Sequence, residues 1–182
     1  MNILITGATG LIGQQICLSL LKKSHNLTIL SHSPEKTKSQ FSFPAQIISW
    51  KDNEDFPSLA LNSIDAVIHL AGESLSGDRW NQIKKDRIYN SRVLRTKSLV
   101  NAIKKSNVKT FISTSAIGYY GDCNDKNIHE ESPPGTDFLA KVCKDWEAPV
   151  VDTMSDTNIR TVILRVGVVQ ARQAAIFKQT VP

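Results

Sequence analysis

Short apolar runs recur along the chain at Asn2 to Thr6, Asn26 to Ser31, Gln46 to Trp50, Ala66 to Leu70, Thr110 to Thr114 and Arg160 to Val169, with helical or irregular stretches between most of them. Runs this short, such as Ala66-Val67-Ile68-His69-Leu70, suit strands covered on both faces. Between the first two, Ile12, Ile16 and Leu20 recur at four-residue spacing, and further on Ile88, Thr96, Leu99, Val100 and Ile103 share one face of a helix. Strand and helix in alternation predict an α/β fold. Right-handed crossovers then give a doubly wound parallel sheet of strand order 3-2-1-4-5-6, whose ligands bind at the carboxyl ends of the strands. The polar stretch from Gly118 to Pro134 reads as a functional rim loop, and helix resumes near Asp137. No internal repeat or low-complexity segment interrupts this order.

Behind the first strand stands Thr6-Gly7-Ala8-Thr9-Gly10-Leu11-Ile12-Gly13. Gly7 permits a tight turn, Gly10 leaves a phosphate unobstructed, and Gly13 lets the helix pack close to the strand. The helix N-terminus turns its free N–H groups and partial positive charge toward the anion. The loop predicts a site for the pyrophosphate of a nucleotide, with a plain glycine turn as the alternative.

With 182 residues the chain accommodates one well-cored domain. Hydrophobic residues at 41% and charged residues at 21% place it among globular proteins, and no apolar run approaches the length of a membrane span. No basic region precedes the first apolar segment, so the expected location is the cytoplasm. The formal charge of +5 does not point to nucleic acid. The basic residues are dispersed, and the densest patch, Lys84-Lys85-Asp86-Arg87, is broken by an acid. Cys17, Cys123 and Cys143 show no close pairing, so neither a disulfide framework nor a metal site is expected.

Taken together, several motifs resemble the extended short-chain dehydrogenase/reductase superfamily, and within it the atypical subfamily of epimerase family proteins. They are the glycine loop, Asp65-Ala66-Val67-Ile68-His69-Leu70-Ala71-Gly72-Glu73, Arg79-Trp80, Ser91-Arg92 with Thr96, Ser113-Thr114-Ser115-Ala116-Ile117-Gly118-Tyr119-Tyr120-Gly121-Asp122, and Asp137-Phe138-Leu139-Ala140 through Asp145-Trp146-Glu147. Leu164-Arg165 before Gly167-Val168-Val169 resembles the family's sixth strand. The resemblance implies a Rossmann-type domain holding a nicotinamide cofactor, with Gly7, Thr9, Gly10, Leu11, Ile12 and Gly13 around its pyrophosphate, and Leu70, Ala71 and Gly72 along the cleft. It implies Ser31, His32 and Ser33 at the adenosine ribose, and Arg87, Arg92, Ser115 and Val168 within reach of the cofactor. For Arg87 and Arg92 exposed helix charge is an equal alternative, and His69 reads as a hydrogen-bonded core histidine.

The end of the second strand bears on which cofactor. An acid there would bind both ribose hydroxyls and repel a 2'-phosphate. The chain instead reads Ser31-His32-Ser33-Pro34-Glu35-Lys36-Thr37-Lys38, with hydroxyls and cations suited to a phosphate, so NADP is expected over NAD. Where relatives carry arginine this chain has His32, which lacks the bidentate fork and gains charge only toward acid pH.

Short-chain reductases pair a hydride with a proton handled by a tyrosine, a lysine four residues on and a serine. Ser115 matches the serine, but none of Tyr89, Tyr119 and Tyr120 is followed by a lysine at that spacing. Phe138 stands at or next to the tyrosine's place, and Tyr119, Tyr120 and Lys141 are the remaining candidates for proton transfer. Asp137 reads as a helix cap, and Asp145 and Glu147 as helix-face charges. Residues 1–169 form the expected cofactor domain, and residues 170–182 depart from the family pattern where relatives continue into a small substrate lobe. The expected function is therefore an NADP-dependent oxidoreductase or epimerase of weak or no activity as this chain stands, acting on an unidentified small molecule. The alternative is a cofactor-binding module completed by a partner. Apolar surface left by the absent lobe is expected to favour self-association.

Overall fold

Strands and helices alternate as the apolar pattern predicts: β1 (Asn2–Thr6), α1 (Leu11–Lys22), β2 (Asn26–Ser31), α2 (Pro34–Gln40), β3 (Gln46–Ser49), β4 (Ala66–His69), α3 (Gln82–Ile103), β5 (Thr110–Ala116), α4 (Phe138–Asp156) and β6 (Arg160–Val166). Two short 3-10 turns, Ser58–Leu61 and Ile117–Tyr120, precede β4 and follow β5. The structure is a computed structural model that describes residues 1–170 except 42, 52, 53, 77, 78 and 157, and only the backbone of 154 and 156. The expected tail, 170–182, lies outside the described residues apart from 170.

All six strands are parallel in the order β3-β2-β1-β4-β5-β6, the expected doubly wound arrangement. The order reverses at β1, so a crevice opens above the carboxyl ends of β1 and β4. Successive side chains of a strand leave on opposite faces, and both faces are covered. Ile3 and Ile5 of β1 join Cys17, Leu27 and Ile29 in one core layer. Leu4 joins Leu30, Val67, Leu99, Val100, Ile103, Phe111 and Val150 in the other. At about 1.5–3 kcal/mol for each large aliphatic side chain removed from water, these layers supply the main drive to fold.

Helix ends follow local chemistry. Asn81 caps α3, its side-chain oxygen accepting from the Lys84 N–H at 2.9 Å, and Asp137 caps α4 through the Ala140 N–H at 2.9 Å, as read from the sequence. Gly10 caps α1 with no side-chain bond, which leaves the helix's first N–H groups for another acceptor. The sixth strand ends at Val166 rather than at the expected Val169. Its last partner is Ala116, beyond which the chain coils into the 117–120 turn and offers no further ladder.

His69 ties the sheet to α3 and is fully buried. Its Nδ1 shares a hydrogen bond with Thr6 Oγ1 at 2.7 Å and its Nε2 with Thr96 Oγ1 at 2.9 Å, while its carbonyl accepts from Thr114 Oγ1 at 3.0 Å. Thr6 Oγ1 in turn accepts from the Ala71 N–H at 3.2 Å. The sequence-based reading as a core histidine holds. Burial, reinforced by the positive charge of Arg95, pulls the imidazole down to about 3. The unfolded chain therefore binds a proton below its ordinary value, and the native core refuses it until about 3, so His69 makes stability fall as pH drops through that window. Urea unfolding at about pH 7 and about pH 4.5 should show this residue costing about 2 kcal/mol between the two. A His69→Leu variant, weaker at neutral pH because Thr6 and Thr96 lose a partner, should lack that part of the acid loss.

Candidate functional site

The turn from β1 into α1 is set by contact as much as by conformation. Gly7 has φ +70°, and a Cβ there would stand 2.7 Å from the Leu70 carbonyl carbon and 2.8 Å from the Ala71 nitrogen. A Cβ on Gly13 would meet the Gly7 carbonyl oxygen at 2.3 Å. No other residue type fits at either place. The Gly10 N–H donates to the Gly7 carbonyl at 3.0 Å and closes the turn, and the uncapped start of α1 follows. Above lies a cleft of about 560 Å³ whose floor is Gly7, Thr9 and Gly10. The bare backbone and unpaired helix N–H groups form a cradle for an anion such as a pyrophosphate.

One wall is the end of β2. Ser31 Oγ shares a hydrogen bond with Thr37 Oγ1 at 2.7 Å and accepts from the Ser33 N–H at 3.0 Å, which folds the chain back on itself. Ser33 Oγ bonds His32 Nδ1 at 2.9 Å. Ser31, His32, Ser33 and Lys36 all line the cleft, and the nearby acid Glu35 is turned to Lys38 at 2.9 Å. The expected combination of hydroxyls and cations is therefore assembled in one place.

The opposite wall, Leu70 to Glu73, also matches expectation for Leu70, Ala71 and Gly72. Other expected cofactor residues do not line the cleft. Leu11, Ile12 and Gly13 form the first turn of α1 and contribute only its unpaired backbone N–H groups, and Ser115 and Val168 lie elsewhere. Arg87 is half exposed, 3.9 Å from Glu73 Oε1, and belongs to an adjoining groove. Arg92 packs on Gly72, where a Cβ would come within 3.0 Å of its Cζ. It donates to the carbonyls of Glu73 at 3.0 Å and Ile88 at 3.4 Å, and lies over Trp146. Burial holds this guanidinium below its ordinary value. It buttresses the wall from the helix side. Glu73 and Arg95 also line the cleft and carry no site role in the sequence-based reading. Polar residues at Lys84, Ser91 and Arg95, on the stripe of α3 that also carries Ile88 and Leu99, are the sequence signal for them.

At the end of β5 the candidate catalytic residues separate. Ser115 Oγ is buried without a hydrogen bond of ordinary geometry, against the Cys143 thiol, which burial pushes up. The α4 residues facing this region are Leu139 and Cys143, four apart: a Cβ on Gly118 would meet Leu139 Cβ at 3.8 Å and Cys143 Sγ at 3.9 Å. Phe138 faces away, edge-on to Trp80 at 6.1 Å and under the Lys85 ammonium at 5.4 Å. Lys141 is exposed and bonded to Asp145, which holds the ammonium up and the carboxylate down, and Asp145 also accepts from the Tyr89 hydroxyl at 3.0 Å. Among the described residues no group of His, Cys, Asp or Glu is suited to hold a metal ion.

Tyr119 and Tyr120 are gathered by Arg165 of β6. Its guanidinium lies 3.6 Å from the centre of the Tyr119 ring and donates from Nη1 to the Tyr120 hydroxyl and the Glu130 carbonyl, each at 2.7 Å. Its Nε and Nη2 donate to both oxygens of Glu147, at 2.9 and 2.8 Å. Glu147 is buried, which corrects its reading as a helix-face charge. The reason is that β6 places Arg165 over this face of α4, raising the guanidinium further above its ordinary value through the paired carboxylate. The loop after β5 is closed at its ends, since the Gly135 N–H donates to the Tyr119 carbonyl at 2.9 Å.

Breaking a buried pair from one side leaves a charge without a partner. Arg165→Met should lower unfolding free energy by about 3 kcal/mol, and the double substitution Glu147→Leu with Arg165→Met should recover at least about 1 kcal/mol of it. Chemical denaturation of the three variants checks the cycle.

A model of the NAD dependent epimerase/dehydratase family matches residues 3–173. An epimerase family protein of Mycobacterium leprae is 32% identical over 180 residues, covering 98% of this chain and 56% of the relative. Epimerase family protein YfhF of Bacillus subtilis is 33% identical over 187 residues, with 59% of its length covered. Among solved structures, human epimerase family protein SDR39U1 with NADPH superimposes with a TM-score of 0.80 at 28% identity, over 98% of this chain and 58% of that one. UDP-glucuronic acid 4-epimerase from Bacillus cereus, in complex with UDP-glucuronic acid and NAD, gives 0.75 at 25% identity, over 91% of this chain and 56% of that one. The chain thus spans a little over half the length of these relatives. With the family's pattern running from β1 past β6 of the parallel sheet, this chain belongs to the NAD dependent epimerase/dehydratase family, as an epimerase-like member of the short-chain dehydrogenase/reductase superfamily.

Proposed function

We propose that the chain is an NADP(H)-binding Rossmann unit of an oxidoreductase or epimerase acting on a small molecule. The observation that carries this reading is the cleft itself, a glycine floor at an uncapped helix start with Ser31, His32, Ser33 and Lys36 gathered beside it. The floor takes the pyrophosphate through backbone N–H groups, and the hydroxyls, imidazole and ammonium take a 2'-phosphate. The likeness to a human relative solved with NADPH supports the phosphorylated cofactor. A nicotinamide dinucleotide bound there supplies hydride transfer. What the chain's own residues do is hold and orient it, with the Leu70 to Glu73 wall kept in place by Arg92.

One observation favours a second reading, binding with little turnover. Cys143 of α4 lies against Ser115 and Leu139, one turn before it, faces Gly118, and neither a hydrocarbon nor a thiol pushed up by burial serves as a ready proton donor to a carbonyl. Tyr120, bonded to Arg165, and Tyr119, stacked beneath it, sit in the rim instead.

Calorimetry should show NADPH binding about tenfold or more tightly than NADH. Lys36→Met should weaken NADPH about tenfold and leave NADH unchanged. Equal affinities overturn the phosphate preference, and failure of both dinucleotides to bind overturns the cofactor reading. NADPH oxidation across a panel of carbonyl compounds separates the enzyme from the binding module.

A further inference from the structure

Glu73 is the one carboxylate among the described residues that line the cleft. An unneutralised acid beside two or three phosphates would oppose binding. This one is neutralised and fixed. Its N–H donates to Ser91 Oγ at 3.0 Å, its carbonyl accepts from Arg92 Nη2 at 3.0 Å, and its Oε1 accepts from Lys84 Nζ at 2.9 Å. Lys84 is only 2% exposed, whereas the Glu73 side chain keeps 32% of its surface open. All these partners come from α3, so the carboxylate is seated on a rigid element. Among the described residues no hydrogen bond reaches its Oε2. The result is an oriented acceptor in the wall of a site that otherwise presents donors.

Its position along the cleft says what it meets. The glycine floor takes the pyrophosphate and the end of β2 the ribose, which leaves the base to lie beyond the ribose, toward Trp50 at the end of β3. There Glu73, Ser91, Trp50 and Arg95 line both the cleft and an adjoining groove of about 440 Å³. The Arg95 guanidinium lies over the Trp50 ring, 3.7 Å from its centre, and donates to the Trp50 carbonyl at 2.9 Å, so two planar groups line this junction. A flat ring seated there brings its edge to the Glu73 wall.

We propose that Glu73 reads the base of the dinucleotide, its Oε2 accepting from the exocyclic amino group of adenine, so that the cleft selects a 6-amino over a 6-oxo purine. A 6-oxo base turns an acceptor toward the carboxylate at that point, and two acceptors repel. Lys84 is the positioning residue that holds the carboxylate and cancels its charge. The proposal rests on the cofactor reading above.

Calorimetric titration of the whole chain with NADPH and with its hypoxanthine analogue tests it. The unaltered protein should bind the analogue about tenfold or more weakly. Glu73→Gln, whose amide both donates and accepts, should bring the two within about twofold. Equal binding of both by the unaltered protein overturns the proposal while leaving the cofactor reading intact, and needs no variant to fold. A Glu73→Gln protein that loses affinity for both with the ratio preserved overturns it too, since that is the mark of a purely structural residue. No binding of either dinucleotide overturns it together with the cofactor reading.

Discussion

The architecture hangs on one close approach, where β1 turns into α1 against the chain leaving β4. At Gly7 and Gly13 the backbones come so near that a single carbon would overlap Leu70, Ala71 or the Gly7 carbonyl. That contact fixes three things at once: the angle at which α1 leaves the sheet, the distance of the Leu70 wall from the glycine turn, and the direction in which the first helical N–H groups face. The cleft is the space these three define. Its anion-binding character follows from geometry, because no side chain caps the start of α1.

Around this contact the polar groups form two separate systems. Beneath the cleft, His69 joins β1 to α3 through Thr6 and Thr96, and the Ala71 N–H is drawn into the same chain, so the wall of the cleft is tied to the core. On the far side Arg165 joins β6 to α4 and to the loop after β5. Both systems bury polar groups that would be costly if unpaired, and both pair them nearly completely. The exceptions among the described residues are Ser115 Oγ, on β5, and Trp146 Nε1, on α4. Leu139 and Cys143 of α4 face Gly118, just after β5.

Helix α3 serves more of the site than any other helix. Its core-facing apolar residues hold it to the sheet, and on the adjoining stripe Lys84, Ser91 and Arg92 fasten Glu73 while Arg95 covers Trp50. A carboxylate in a phosphate-binding cleft is tolerable only with such neutralisation. The buried ammonium of Lys84 in turn needs the carboxylate, since neither charge is cheap to bury alone.

The periodicity of apolar residues and the position of the glycines were sufficient for the strand order, the placement of the cleft and the cradle at Gly7 to Gly10. These depend on local conformation and on the handedness of crossovers, which act between neighbours in sequence. The cap at Asp137, the core role of His69 and the hydroxyl-rich end of β2 were legible for the same reason. Glu147, Arg92 and Glu73 were not. Glu147 lies 18 residues from Arg165 and Glu73 lies 11 from Lys84, and whether such a charge is solvated or buried depends on what the fold sets opposite it. The residues that face Ser115 likewise depend on the rotation of α4, which its packing against α3 and β5 settles and its own sequence leaves open. The chain by itself determined where a dinucleotide would lie, and only the tertiary structure decided which side chains surround it, because pairing across distant segments is a property of packing.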